Sequence, residues 1–277
     1  MKKLKLNLTM KHLTKGALTL LAIILFQSNI HGQQLYEGKV IMAVFAHPDD
    51  EGSVAPILAK YIREGATAHL VIVTDGRYGT NDHHDHVAGE TLVATRKEEM
   101  KCAAEKLGVI LHHWDYHDQL RAGEGYDGHV PHARKMILQL YNLVESVKPD
   151  VLITWGPDGA STHMDHRLVG ATVTQVFLAK DWGEKPGSLY YYGTPSGLIT
   201  DPASRILRGQ AKKFLRTKIS YTQEDLDKSF NSIKCHYSQM PPNMKKEDYE
   251  KRRASNGMYV YLRKFEGPTK DSNSIFD

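Results

Sequence analysis

Two short clusters of histidine and aspartate hold the residues best suited to chemistry in this 277-residue sequence. The first runs from Ala46 to Glu51 and reads Ala-His-Pro-Asp-Asp-Glu, and the second runs from His163 to His166 and reads His-Met-Asp-His. Imidazole nitrogen and carboxylate oxygen together suit zinc and similar divalent ions. Ligands from both clusters would leave a fourth position for water, which is the pattern of catalytic rather than structural zinc.

Each cluster follows an apolar run that predicts a buried strand. The run from Val40 to Ala46 ends at the first cluster, and the run from Val151 to Trp155 leads through a Gly/Pro loop to the second. Ligands of open α/β sheets bind at the carboxyl ends of the strands. We therefore expect the two strand ends to meet and to form one site.

The residues after the first strand predict the start of a helix. Pro48 suits the first helical position, because its missing N–H would have no partner there. Asp49 and Asp50 would then open this helix. The alternative is that these carboxylates only cap the helix and complement its dipole.

The rest of the chain alternates predicted strands with predicted helices. This alternation predicts an α/β fold with a mostly parallel, Rossmann-like sheet flanked by helices, in a single domain over residues 33–277. The glycine fingerprint G-x-G-x-x-G is absent after the first strand, so dinucleotide binding is not supported. The further predicted strands are His69–Thr74, Val109–Trp114, Ser188–Tyr192 and Met258–Lys264; the predicted helices are Glu90–Leu107, His132–Val147, Arg167–Lys180 and Thr222–His236.

Residues 1–32 have the pattern of a signal peptide. They contain five lysines, no acidic residue and a ten-residue apolar core from Ala17 to Phe26, which is too short to span a membrane. We expect cleavage near Gly32 and a mature protein that is periplasmic or secreted. After removal of the leader, no stable membrane insertion is expected. The alternative is that the leader stays uncleaved as an anchor. The remaining chain has 31 Lys and Arg against 32 Asp and Glu, so no nucleic-acid partner is expected. The oligomeric state is not predicted.

The only two cysteines are Cys102 and Cys235. An exported chain with two cysteines could form one disulfide. Cys102 lies on the apolar side of a predicted helix, which favours a buried free thiol. We therefore expect Cys102 to be free, with the disulfide as the alternative.

The first cluster, paired with the later His-x-Asp-His, resembles the LmbE-like (PIG-L) family of zinc-dependent N-acetylglucosaminyl deacetylases. The resemblance covers about Val40 to Gln239. It implies one zinc ion per chain, bound by His47, Asp50 and His166, and iron(II) or cobalt(II) would suit the same ligands. It implies the following further roles: Asp49 as general base, His163 as acid or electrostatic stabiliser, and Asp165 as the group that orients a histidine.

The same resemblance implies that Arg96 and Asp118 hold the sugar. The alternatives are a surface arginine paired with a nearby glutamate and a turn aspartate. The loop with His83, His84 and His86 is expected to be a solvated loop near the pocket rather than a metal site. The late element around His236 resembles a family element that closes one side of the pocket.

Three functions compete. The first is removal of the N-acetyl group from a GlcNAc-containing glycan or glycoconjugate, and the second is hydrolysis of another N-acyl group by the same site. The third is a secreted glycan-binding protein without catalysis. All the predicted ligands and both acid/base candidates are present, which counts against the third. We therefore expect a small-molecule or glycan substrate and a hydrolase that acts on carbon–nitrogen bonds other than peptide bonds.

Overall fold

A seven-stranded sheet forms the centre of the computed structural model, which describes residues 35–120, 131–266 and 274. The strand order is β3-β2-β1-β4-β5-β9-β8; β1 to β5 are parallel, and β9 is antiparallel to both of its neighbours. Two short strands, β6 and β7, pair with each other outside this sheet. The strands are β1 (Val40–Phe45), β2 (Thr67–Thr74), β3 (Ile110–Tyr116), β4 (Val151–Trp155), β5 (Ser188–Tyr192), β6 (Thr194–Pro195), β7 (Gly209–Gln210), β8 (Thr217–Ser220) and β9 (Tyr259–Lys264).

Helices cover both faces of the sheet, because its central strands are apolar on both sides. The core on one face includes residues of α1, α2 and α7, and the core on the other face includes residues of α3 and α5. The helices are α1 (Ala55–Arg63), α2 (Glu90–Leu107), α3 (Pro131–Val147), α4 (Gly159–Thr162), α5 (Met164–Leu178), α6 (Pro202–Arg208), α7 (Gln223–Ile233) and α8 (Lys246–Ser255).

The start of the first helix differs from the prediction. Pro48 and Asp49 precede a 3₁₀ turn over Asp50–Ser53, and α1 begins only at Ala55, with Pro56 in its first turn. Asp49 adopts a φ of 107°, which L-residues rarely occupy and which no regular helix allows. The prediction that Pro48 begins the helix is therefore wrong, because the chain turns sharply at Asp49 first.

Most other predicted elements are confirmed. The structure has the predicted single domain with a mostly parallel sheet, and the predicted strands and helices are found with shifts of a few residues at their ends. Six of the helices and strands were not predicted: α4, α6, α8, β6, β7 and β8. The predicted leader over residues 1–32 lies outside the described residues. Among the helices of the described residues, none is long and apolar enough to cross a bilayer.

Cys102 and Cys235 form a disulfide, so the expectation of a free Cys102 is wrong. Cys102 belongs to α2, and Cys235 lies two residues after the end of α7. These helices pack on the same face of the sheet, where Ser232 also donates a hydrogen bond to the backbone carbonyl of Ala103. The apolar period of α2 indicated its buried side correctly, but it carried no information about which distant residue would pack there.

Candidate metal centre and active site

The two predicted clusters meet at the switch point of the sheet. Strands β1 and β4 are neighbours, with Ala43 opposite Ile153, so their carboxyl ends lie side by side. The chain continues to β2 and β3 on one side and to β5 on the other, which opens a crevice between β1 and β4. His47 comes two residues after β1, and His166 lies in the first turn of α5, which follows the loop after β4.

His47, Asp50 and His166 form a triangle of possible metal ligands. Nδ1 of His47 lies 3.1 Å from Nε2 of His166 and 3.5 Å from an oxygen of Asp50, and Nε2 of His166 lies 3.2 Å from the other Asp50 oxygen. Ligands of a tetrahedral zinc ion, with bonds of about 2.0–2.2 Å, are about 3.3 Å apart. The three predicted ligands therefore fit a divalent ion of this size.

Hydrogen bonds orient both imidazoles of this triangle. Nδ1 of His166 lies 2.8 Å from the backbone carbonyl oxygen of Gly159, which can only accept, so this nitrogen carries the proton and Nε2 has the free lone pair. Nε2 of His47 lies 3.1 Å from carboxylate oxygens of both Asp118 and Asp165, which assigns its proton to Nε2 and its lone pair to Nδ1. Both lone pairs thus face the centre of the triangle, as metal ligation requires.

His47, Asp118 and Asp165 form a second group in which three possible ligand atoms lie close together. The two carboxylates also accept backbone N–H groups: Asp165 from Gln119 and Leu120, and Asp118 from Tyr78 and Gln119. All three members are buried, whereas Asp50 and His166 line an open cavity. This geometry suits carboxylates that orient a histidine, and it fits the predicted orienting role of Asp165.

Asp50 is held as an anion. One of its oxygens accepts the backbone N–H groups of Ala46 and His47, at 3.1 and 2.8 Å. Burial alone would raise the pKa of this carboxyl group, but the bonds to His166 and His47 outweigh it and bring the pKa well below its usual range. An ionised carboxylate at this point is the form that binds a metal.

Asp49 lies beside the triangle without joining it. Its carboxylate is 3.0 Å from the Nη2 atom of Arg96, and its backbone N–H donates to the side chain of Glu51. Burial raises the pKa of Asp49 to about 6, although the positive charge of Arg96 acts in the opposite direction. Its side chain remains 26% exposed and lines the same cavity as Asp50 and His166.

His163 sits at the amino terminus of α5 as its cap. Its Nδ1 accepts the backbone N–H of Asp165 at 3.2 Å, so in the neutral ring the proton belongs to Nε2. Burial and the neighbouring histidines lower its pKa. The ring centroid lies 4.6 Å from that of His47 and 5.0 Å from that of His166. His163 is therefore a neutral hydrogen-bond donor at the edge of the ligand triangle.

Arg96 and Asp118 lie behind the ligands rather than in the open cavity. Arg96 is 2% exposed, and its guanidinium donates to Asp49 and to the backbone carbonyls of Pro48 and Gly76. Asp118 is 5% exposed and contacts His47. Binding of a sugar by these two residues stays a prediction; the contacts in the structure give them the role of holding Asp49 and His47.

The cavity next to the ligand triangle has a volume of about 570 Å³. Trp155 and Tyr192, at the ends of β4 and β5, contribute aromatic surface, and Trp155 stacks on His166 with ring centroids 4.5 Å apart. The opposite side is formed by residues between Leu198 and Arg208. The sequence analysis did not predict this wall or a role for Tyr192 in it. The position of Tyr192 at the end of a predicted strand was the one signal that pointed to the site.

The late element around His236 closes the side of the site next to Glu51. Nε2 of His236 lies 2.7 Å from a carboxylate oxygen of Glu51, and both side chains are fully buried. Ser238 donates through its N–H and its hydroxyl to Glu99 of α2. The disulfide at Cys235 ties this element to the same helix. The predicted closing role fits this position.

The histidine-rich loop packs on this late element. His84 contacts the carbonyl of Met240 through Nε2, and Asn81 donates to the carbonyl of Ser238. Among the described residues, neither His83, His84 nor His86 joins a cluster of three possible metal ligands. The arrangement agrees with the expectation of a loop near the pocket.

Residues 42–177 match the family model described as PIG-L: GlcNAc-PI de-N-acetylase, and this stretch contains both clusters. The match covers just under half of the chain, which is similar to the PIG-L family over that stretch. One relative is a 1D-myo-inositol 2-acetamido-2-deoxy-alpha-D-glucopyranoside deacetylase from Streptomyces scabiei, 29% identical over 205 residues that cover 63% of this chain and 62% of the relative. Matches to three such relatives cover 49% to 62% of each relative's length.

Solved structures with a similar fold include enzymes of different reactions. The N,N'-diacetylchitobiose deacetylase from Pyrococcus horikoshii has a TM-score of 0.61 and 18% identity, over 86% of this chain and 88% of its own. The 4-carboxy-2-hydroxymuconate hydratase from Pseudomonas putida has a TM-score of 0.60 and 16% identity, over 85% of this chain and 100% of its own. At these identities the likeness establishes the fold, so the reaction must be argued from the site.

Proposed function

We propose that this protein is an exported, metal-dependent hydrolase that removes the N-acetyl group from a GlcNAc-containing glycan or glycoconjugate. The observation that carries this proposal is the triangle of His47, Asp50 and His166, with the half-buried carboxylate of Asp49 beside it and an open cavity in front of it. The deacetylase from Streptomyces scabiei, which acts on a 2-acetamido sugar, supports the choice of substrate.

His47, Asp50 and His166 are the residues that would hold the metal, and their mixed nitrogen and oxygen donors suit zinc. When bound, such an ion supplies a Lewis acid and an activated water for attack on an amide. The proposal of zinc rests on this donor set, and iron(II) or cobalt(II) would fit the same donors.

Asp49 is the proposed general base. Its carboxylate lines the cavity, and Arg96 fixes its position from behind through a 3.0 Å contact. A base held within reach of the attacking water contributes about 10² to 10⁴ in rate. The strained backbone of Asp49 directs this side chain away from the ligand triangle, and such strain is common at functional sites.

His163 is the proposed donor to the reacting carbonyl oxygen and to the departing amine. The backbone N–H of Asp165 donates to its Nδ1, so its Nε2–H is free to donate beside the ligand triangle. A donor fixed in advance stabilises negative charge as it develops on the carbonyl oxygen. Asp165 and Asp118 hold the ring of His47 and keep its Nδ1 directed at the metal position.

Export is part of the proposal. The lysine-rich start and the short apolar core of residues 1–32 support a signal peptide, and the disulfide between Cys102 and Cys235 supports an oxidising compartment. A periplasmic or secreted enzyme would meet cell-wall or environmental glycans rather than cytoplasmic metabolites.

Release of acetate tests the reaction. The purified protein, stripped of metal and then supplied with zinc, is incubated with N-acetylglucosamine, N,N'-diacetylchitobiose and a GlcNAc glycolipid. We expect zinc-dependent acetate from at least one of them. Absence of acetate with one metal ion bound per chain would contradict de-N-acetylation of these substrates and favour another N-acyl group.

The variant Asp49→Asn separates catalysis from binding. Asparagine tolerates a positive φ and keeps an oxygen for Arg96, so the fold and the metal should be retained. We expect the rate to fall about 10²- to 10⁴-fold. Asp82→Asn, in the exposed histidine-rich loop, is the matched control and should keep the wild-type rate. Wild-type activity in Asp49→Asn would contradict the proposed base.

A further inference from the structure

The outer wall of the cavity continues into a strongly basic stretch of chain. Residues 202–218, which we call the basic segment, comprise α6, β7, a 3₁₀ turn and the start of β8. They contain six lysines and arginines and no acidic residue. The rest of the chain after the leader, residues 33–201 and 219–277, has 25 lysines and arginines against 32 aspartates and glutamates. The six basic residues are Arg205, Arg208, Lys212, Lys213, Arg216 and Lys218.

All six basic side chains are exposed. Within residues 35–120 and 131–266, no carboxylate forms an ion pair with any of them. Arg205 donates to the backbone carbonyls of Ile199 and Thr200, which leaves its charge uncompensated. Apart from Lys218, whose Nζ lies 3.7 Å from the ring centroid of Tyr259, the cations of the basic segment are therefore available to an outside partner.

Three large apolar side chains of the basic segment are also exposed. Ile206 is 84% exposed, and Leu207 and Phe214 are each 54% exposed. Ser204 and Arg208, four residues apart, share the face of α6 that lines the cavity. Ile206 lies about half a turn away from Ser204, so it points away from the cavity and toward solvent. Ile206 thus lies on the outside of the cavity wall, and exposed cations and the exposed Phe214 follow in the same segment.

We propose that the basic segment docks this protein onto the surface of a bilayer that carries anionic phospholipid headgroups. Apolar side chains among exposed cations are the signature of peripheral binding at an anionic membrane interface. A nucleic acid would match the charge but would leave Ile206, Leu207 and Phe214 in water. A symmetric contact with a second copy would bring two sets of six cations together, which opposes association.

Docking through this surface would place the cavity at the membrane. Leu198 and Arg208 line the cavity, and Ile206 and Leu207 belong to the same short helix as Arg208. A bilayer in contact with the outside of α6 would bring lipid-linked glycans to the cavity mouth. This second step rests on the proposed function, whereas the docking itself does not depend on catalysis.

Flotation with vesicles tests the docking. The full-length protein is mixed with vesicles of pure phosphatidylcholine, or with vesicles in which about a third of the lipid is phosphatidylglycerol, at 0.1 M and 0.5 M salt. We expect flotation with the anionic vesicles at 0.1 M salt, weak flotation with neutral vesicles and marked loss at 0.5 M salt, because salt screens surface charges.

Two variants remove the two parts of the surface separately. The first is a triple variant that removes three charges, Lys212→Gln/Lys213→Gln/Arg216→Gln. It should weaken binding to anionic vesicles about fivefold per residue, or roughly a hundredfold in all. Ile206→Ser/Phe214→Ser removes the exposed apolar side chains and should weaken binding at least tenfold. The matched controls are Lys234→Gln/Lys251→Gln/Arg252→Gln and Leu138→Ser/Leu178→Ser, which change exposed residues elsewhere and should bind like the wild type.

The variants and controls share one N-terminus, so any contribution of the leader cancels in the comparison. Acetate release from a water-soluble GlcNAc substrate should be the same in all of them, whereas release from a vesicle-bound GlcNAc glycolipid should fall in the basic-segment variants. Wild-type binding by both basic-segment variants, or equal flotation of the wild type with neutral and anionic vesicles, would overturn the proposal. Vesicle binding without any acetate release would support docking and count against the proposed function alone.

Discussion

Nδ1 of His47 lies 3.1 Å from Nε2 of His166, although 119 residues separate the two histidines in the chain. Two neighbouring imidazole nitrogens that both present lone pairs repel each other unless a proton or a metal ion lies between them. Hydrogen bonds to Asp165 and Gly159 fix both rings in this arrangement. The pair therefore indicates a cation site built into the fold.

Removal of one of these histidines should abolish tight metal binding. We expect His166→Gln to lose the equimolar zinc of the wild type after dialysis and to lose acetate release, because two ligands hold zinc far less tightly than three. Metal content by atomic emission and the circular dichroism spectrum are measured together. His69→Gln, at a half-buried histidine that contacts His112, is the control and should retain the metal. A full complement of zinc in His166→Gln would place the metal elsewhere.

Asp165 should matter for metal affinity without binding the metal. Its oxygens accept from His47 and from the backbone N–H groups of Gln119 and Leu120. We expect Asp165→Asn to weaken zinc binding about 10- to 100-fold, because the ring of His47 loses its orienting acceptor. Competition with a chromogenic chelator measures this affinity. An unchanged affinity would show that Asp118 alone suffices to orient His47.

Arg96 should act through Asp49. Its guanidinium is buried and bridges Asp49 to two backbone carbonyls, so its loss frees the proposed base. We expect Arg96→Gln to lower kcat by about 10²-fold, the effect of a misplaced catalytic group, while the zinc content stays at the wild-type level. A rise in KM with kcat unchanged would instead indicate the predicted role of Arg96 in holding the sugar.

The buried pair of His236 and Glu51 should make stability depend on pH. Burial disfavours the charged imidazole, but Glu51 at 2.7 Å outweighs burial and raises the pKa of His236 above 6.5. Because this pKa is higher in the folded than in the unfolded protein, protonation of His236 favours the folded state. The full contribution to stability is present below the unfolded-state pKa of about 6.5, and it is lost as the pH rises through the folded-state pKa.

The comparison of the wild type with His236→Gln checks this sign. We expect the difference in the free energy of unfolding to be larger at pH 6 than at pH 9, as measured by urea denaturation at both values. Lys234→Gln, at an exposed position two residues earlier, should show no such pH dependence. A difference that grows with pH would contradict the assigned direction of the pKa shift.

The disulfide should contribute strongly to stability. It joins residues 133 positions apart, so it closes a long loop in the unfolded chain. We expect Cys102→Ser/Cys235→Ser to lower the free energy of unfolding by about 2–5 kcal/mol relative to the oxidised protein. Urea denaturation with and without reductant measures it, and the double variant should no longer respond to reductant. A wild type that is equally stable with and without reductant would contradict a stabilising disulfide.

The sequence alone determined the order of the main strands and helices, because apolar period and Gly/Pro punctuation are local signals. It also determined which residues could bind a metal, since His47, Asp50 and His166 follow two predicted strands at the edge where ligands bind. The prediction that a helix begins at Pro48 was wrong, because the strained backbone of Asp49 delays the helix. Backbone strain at a single residue leaves no periodic pattern in the sequence.

Tertiary structure decided which atoms meet. The direction of each imidazole, the burial of Arg96 against Asp49 and the pairing of Cys102 with Cys235 all depend on contacts between distant segments. The cavity wall from Leu198 to Arg208 carries no motif at all and became visible only through its packing. Local patterns specify which elements form and which face is buried, whereas the partner across an interface is specified only when the whole core assembles.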